Sequence, residues 1–126
     1  MNSSVSVEEV MRCPPVTALF SDTLSSISEK MVTCNIGSVI VMSGDAPTGI
    51  ITERDIVRRI VIERRDPDQT LAQAIMSSPL VTIEADKSVT EALQLMRNMG
   101  IRRLVVVRDD KLVGIVTKRR LLRALV

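Results

Sequence analysis

The sequence predicts an α+β fold made from two copies of a β-α-β-β-α unit, and three observations carry that prediction. Residues 10–61 align with 75–126 at a constant offset of 65 without a gap, and 14 of the 52 positions are identical. Ordinary residue frequencies give roughly three or four identities by chance. Within each copy the apolar residues pass from strand spacing to helical spacing and back. The composition, 45% hydrophobic and 25% charged, is that of a globular chain. A tandem unit of this size barely offsets its own chain entropy. Each twin is therefore expected to complete the other's core, and the groove between them to receive a ligand.

The elements follow in order. Residues 1–6 are polar and expected to fray. Val7–Met11 reads as a short helix or entry arm. Pro14 and Pro79 end any helix and start extended chain. The β-branched runs Val16–Leu19 and Leu80–Ile83 read as strands. Helices follow. Leu24, Ile27, Met31 and Cys34 keep a helical period, as do Val89, Ala92, Leu93, Met96 and Met99. Ser88 and Glu91 fit a capping box, and Gly100 supplies a stop. Val39–Met42 and Leu104–Val107 are apolar strands. Each returns through a turn, the first of longer character, into Thr48–Ile51 or Val113–Val116. Thr52 and Thr117 stand at the N-caps of closing helices. The apolar residues of those helices are Ile56, Val57, Ile60 and Val61, and Leu121, Leu122, Leu125 and Val126. The domains read as unit 1 over 7–62, a charged linker over 63–70 and unit 2 over 71–126, with Leu71–Met76 as a short helix leading into the second copy.

The single aromatic residue, Phe20, means the core is interlocking aliphatics. A net charge of +2 does not by itself argue for a polyanionic partner. No apolar run reaches the ~18 residues of a membrane span, and the N-terminus lacks a signal pattern. A cytoplasmic protein with free Cys13 and Cys34 is expected. Histidine is absent, and no nucleophile has a base at a recognisable spacing, so no catalysis is expected. No metal site is expected.

The sharpest local motif is Gly49-Ile50-Ile51-Thr52-Glu53-Arg54-Asp55. The glycine lets another group approach the backbone. The threonine caps a helix whose first turn suits a phosphate, and the aspartate can accept from vicinal ribose hydroxyls. The structural alternative is a cap with an acid favoured by the helix dipole. The second copy repeats Gly114-Ile115-Val116-Thr117 but places Arg120 where the first has Asp55, so the two copies differ chemically. Arg102-Arg103, opposite Gly37-Ser38 in the first copy, could grip a phosphate or be a solvated surface pair.

These residues resemble the CBS domain, and residues 7–126 resemble a stand-alone tandem CBS pair, a Bateman module. The resemblance rests on the repeated Pro-x-Val-Thr opening, the strands Ile36–Val41 and Ile101–Val106, and the closing glycine-to-aspartate motif. It implies two units about a pseudo-twofold axis. It also implies a regulatory role without catalysis, an adenosine ligand between the units, and frequent dimerisation. Carried over by position, Asp55 would hold the ribose and Thr52 would contact ribose or phosphate. Ile50, Ile51 and Val81 would flank the base, and Arg102 and Arg103 would bind phosphate. A weaker second site would use Val16, Thr17, Thr117 and Arg119, and it lacks the acid at Arg120. AMP, ADP or ATP is the expected ligand, and a homodimer and a separate regulated protein are the expected partners. A ligand-free interaction scaffold and a nucleic-acid binder are the alternatives. The latter has basic helix ends but no tyrosine or tryptophan to stack bases.

Overall fold

The computed structural model describes residues 5–78 and 80–125. Pro79, expected to open the second copy, and Val126, expected in the last helix, lie outside the described residues, as do residues 1–4. The elements are α1 (Val7–Val10), β1 (Thr17–Leu19), α2 (Leu24–Cys34), β2 (Ser38–Ser43), β3 (Ala46–Thr52), α3 (Glu53–Ile56), α4 (Ala72–Ile75), β4 (Thr82–Glu84), α5 (Val89–Met99), β5 (Arg103–Arg108), β6 (Lys111–Thr117) and α6 (Lys118–Ala124). Each repeat yields one three-stranded sheet, ordered β1-β2-β3 or β4-β5-β6. The outer pair β1·β2 is parallel and bridged by α2, because a parallel connection needs a crossover. The pair β2·β3 is antiparallel, and β4·β5·β6 repeats the scheme.

Local chemistry fixes the boundaries. The Thr23 hydroxyl accepts from Ser26 N–H at the start of α2, and Asn35 ends the helix at φ 54°. In α5 the Ser88–Glu91 capping box and Gly100 at φ 66° do the same work. Asparagine thus stands where glycine stands in the second copy, since both tolerate the left-handed region. The two hairpins are alike: each turns through two residues, Gly44-Asp45 or Asp109-Asp110. The first turn is therefore no longer than the second. Each hairpin carries a register shift, between Val41 and Met42 or between Val106 and Val107.

The chain divides into two compact units whose membership differs from the linear order of the repeats. One unit holds residues 16–80, and the other holds 1–15 with 81–126. In the first, Ala72 and Ile75 of α4 join Leu24, Ile27, Val39, Val41 and Ile51 in the core. The residues read as leading into the second copy thus pack on the first. In the other unit, Val7 of α1 is fully buried among Val89, Ala92, Leu104, Val116 and Leu121. Val5 and Ser6 are not frayed: the Val5 carbonyl accepts from Val89 N–H at 2.9 Å, and Ser6 pairs with Ser88. Each repeat is thus closed by a short helix from outside its own β-α-β-β-α stretch.

The closing helices differ. In the second copy α6 is a regular α-helix. In the first, α3 passes after one turn into a π-helical segment, Val57–Ile62, which buries Ile60 and leaves Val57, Val61 and Ile62 exposed.

Candidate functional site

In unit 16–80, Thr52 ends β3 and caps α3. Its hydroxyl accepts from Asp55 N–H at 3.3 Å, and Asp55 Oδ2 in return accepts from Thr52 N–H at 2.8 Å and from Thr52 Oγ1 at 3.0 Å. This reciprocal box satisfies backbone donors that the first turn of a helix leaves open. Asp55 is half-buried, and its other carboxylate oxygen has no hydrogen bond among the described residues. One oxygen serves the cap, and the other remains able to accept from a ligand. The strand alternates as the pleat requires. Ile51 is fully buried in the core, whereas Ile50 is half-buried. Ile51 therefore has no surface with which to touch a base, and of the two only Ile50 could.

The approach that Gly49 permits is made by the protein itself. A Cβ built on Gly49 would lie 2.5 Å from Met76 Sδ and 2.9 Å from Met76 Cβ. Ser77 and Ile50 exchange backbone hydrogen bonds of 2.9 and 3.1 Å beside this contact. Gly114 is overlaid in the same way by Met11. The repeated glycine is thus a seat for the repeated methionine, not an opening for a ligand. Val16 is half-buried against the same core, and its carbonyl accepts from Ile40 N–H at 3.1 Å. Thr17 lies on β1, and its carbonyl accepts from Lys30 Nζ at 2.7 Å.

In the other unit, Val81 is half-buried against the core, and its carbonyl accepts from Val105 N–H at 3.2 Å. Arg102 and Arg103 stand at the start of β5. Lys118 N–H donates to the Arg102 carbonyl at 2.8 Å, which ties that start to the first residue of α6. Arg102, Arg103, Thr117, Lys118, Arg119 and Leu122 line one cavity of about 380 Å³. The structure therefore brings Thr117 and Arg119, read from the sequence as part of a second site, onto the same cavity as Arg102 and Arg103. Lys118 joins them, a residue the repeat comparison could have flagged because the first copy has Glu53 there. None of the four cations forms an ion pair among the described residues. Arg120 takes a different part. Its Nε donates to the Val10 carbonyl at the end of α1, so the residue that replaces the acid helps hold the closing segment.

The equivalent cavity in unit 16–80 is larger, about 510 Å³, and largely apolar. Met31, Val32, Ile36, Gly37, Glu53, Ile56 and Val57 are among its lining residues. Val32 on its rim is 82% exposed.

The CBS domain family model matches residues 7–62 and 67–126. The chain belongs to the CBS domain family. It is 46% identical over 122 residues to an uncharacterised protein of Methanopyrus kandleri, covering 95% of this chain and 62% of that protein. The chain spans about three fifths of the length of the curated relatives it matches. Among solved structures, an uncharacterised conserved protein from Pyrococcus horikoshii superposes with a TM-score of 0.89 at 25% identity, covering 99% of this chain and 95% of that one. A hexameric CBS-CP12 protein from bloom-forming cyanobacteria superposes at 0.86 with 27% identity, covering 95% of this chain and 71% of that one. The expected α+β fold of two CBS units is therefore the observed one.

Proposed function

We propose that this CBS pair is a non-catalytic regulatory module whose ligand is an adenine nucleotide of the AMP, ADP or ATP class. The observation that carries the reading is the cavity lined by Arg102, Arg103, Lys118 and Arg119, four cations that form no ion pair among the described residues, together with Thr117. Guanidinium forks match phosphate oxygens in pairs, and a threonine hydroxyl can donate to a further one. Asp55, with one carboxylate oxygen uncommitted, is the proposed acceptor for ribose hydroxyls. Thr52, Ile50 and Val81 keep the sequence-level assignment to ribose and base. Val16 and Thr17 have no cation of their own repeat at positions 37 and 38 to support a phosphate. The module would signal by population shift, moving an equilibrium only as far as the nucleotide's differential affinity for its states allows. A separate protein would be the regulated target, in a cytoplasmic setting.

The test is a calorimetric panel of AMP, ADP, ATP, GTP and S-adenosylmethionine against the wild type and Arg103→Ala. Saturable binding of adenine nucleotides, weakened about tenfold or more in Arg103→Ala, supports the proposal. Equal affinities for both proteins, or no binding, refutes it.

Self-association is the second reading, favoured by one specific observation. Val32, Val57, Val61 and Ile62 are between 52% and 82% exposed on one unit. Val32 and Val57 line the same cavity, exposed apolar side chains of this kind suit a partner surface, and a second copy is the economical partner. Sedimentation across a concentration series tests it, and a strict monomer refutes it.

A further inference from the structure

A methionine seated on the repeated glycine closes each unit in the same way, but its sulfur meets different neighbours in the two. In unit 16–80 a hydroxyl faces it: Thr48 Oγ1 stands 3.9 Å from Met76 Sδ while donating to the Val41 carbonyl at 3.1 Å. In the other unit Val113 holds the position of Thr48, and Met11 and Val113 pack on the same apolar core. No side-chain donor reaches Met11 Sδ among the described residues. Met11 also belongs to a strap, residues 5–12. Val7 N–H donates to the Lys87 carbonyl at 2.8 Å near one end, and Arg12 and Ile115 exchange backbone bonds of 2.8 and 3.2 Å at the other. The Met11 side chain seats the strap between these two anchors, against Gly114. Both Met11 and Met76 are half-buried, so a small solute can reach them, whereas Met31 and Met96 are buried.

We propose that Met11 is a peroxide-sensitive modification site whose conversion to the sulfoxide loosens the strap of residues 5–12, and that Thr48 spares Met76 the same effect. The Sδ lone pair attacks one oxygen of hydrogen peroxide. The S–O bond forms as the O–O bond breaks, and water leaves. Sulfur loses two electrons and the peroxide gains them. The product is polar where the thioether was apolar. At Met76 the Thr48 hydroxyl can turn from the Val41 carbonyl and donate to the new oxygen. At Met11 no side-chain donor waits for that oxygen beside Gly114 and Val113, and an acceptor confined without a donor disfavours the seated state.

The experiment treats the full chain with hydrogen peroxide. A thiol reductant then returns disulfides and sulfenic acids of Cys13 and Cys34 to thiols and leaves methionine sulfoxide in place. Peptide mass spectrometry locates the added oxygen, and native-state hydrogen exchange reads the strap. Met99, exposed at the end of α5, should oxidise first, the half-buried methionines next, and Met31 and Met96 last. The Arg12 and Ile115 amides should then exchange about tenfold faster or more. The Ile50 and Ser77 amides, which hold the matching pair of bonds in unit 16–80, should change by less than about twofold. Met11→Leu, which keeps an apolar seat without the sulfur, should abolish the response, and Thr48→Val should extend it to Ile50 and Ser77. In the wild type, enzymatic reduction of the sulfoxide should restore slow exchange. Met11 resisting peroxide as long as Met31 and Met96 do, or oxidised Met11 with Arg12 and Ile115 exchanging as before, overturns the proposal. So does a response that persists in Met11→Leu, or that is equal at the two bonded pairs of the wild type. Thr48→Val that leaves Ile50 and Ser77 slow overturns the part given to Thr48.

Discussion

Asp55 offers a way to separate a structural from a ligand-binding carboxylate, because its two oxygens have different duties. Oδ2 accepts from Thr52 N–H at 2.8 Å and from Thr52 Oγ1 at 3.0 Å, and the second oxygen has no hydrogen bond among the described residues. Asp55→Ala removes both. Losing the return half of a capping box costs about 1 kcal/mol, which lowers the melting temperature by about 2–8 °C. Losing a charged acceptor for ribose hydroxyls costs about 1.5–3 kcal/mol, or roughly 10–100-fold in affinity. Asp55→Asn divides the two effects. Its amide oxygen can still accept from Thr52, so stability should stay within about 0.5 kcal/mol of the wild type. Its amide nitrogen cannot accept, so nucleotide affinity should fall by about tenfold or more. Urea unfolding followed by circular dichroism measures the first quantity and calorimetric titration the second. Asp55→Asn that binds nucleotide as the wild type does would show that the carboxylate is a cap alone.

Three further outcomes follow from the packing. Gly49→Ala should destabilise the chain by about 1–3 kcal/mol in urea unfolding, because the new Cβ would meet Met76 Cβ at 2.9 Å, an atom that cannot swing away as Sδ can. A change within about 0.5 kcal/mol would mean that Met76 is not seated on Gly49. Thr117→Ala removes the hydroxyl that accepts from Arg120 N–H at 3.2 Å, and should cost about 1 kcal/mol by the same assay. Val61→Glu, at a position 65% exposed, should leave stability within about 0.5 kcal/mol but shift sedimentation toward the monomer. Unchanged association would clear this face of a role in self-assembly.

Much of the fold was legible because the repeat states each signal twice. Thr52 and Thr117 at strand-to-helix junctions, Ser88 with Glu91, and Gly100 are local devices, and the structure uses each as read. What sequence reading missed is tertiary. Nothing local to Val7 or Ile75 says which core it enters, and each enters that of the other repeat's strands. The clue lay in two identities 65 positions apart, Met11/Met76 and Gly49/Gly114, which are the two sides of one contact made twice. Ile50 and Ile51 could not be told apart until the strand's pleat assigned Ile51 to the core. The site was legible in its residue types and less so in its grouping. Arg102, Arg103, Thr117 and Arg119 were all visible, but Lys118 N–H bonding to the Arg102 carbonyl is what gathers them on one cavity.

A nucleotide bound to this CBS pair should rest its phosphates in that basic cavity. Amide chemical-shift mapping during an ATP titration tests this directly, residue by residue. The amides of Arg102, Arg103, Thr117, Lys118 and Arg119 should move together and saturate at one ligand concentration. Saturable shifts confined to other surfaces, with these five unmoved, would contradict it.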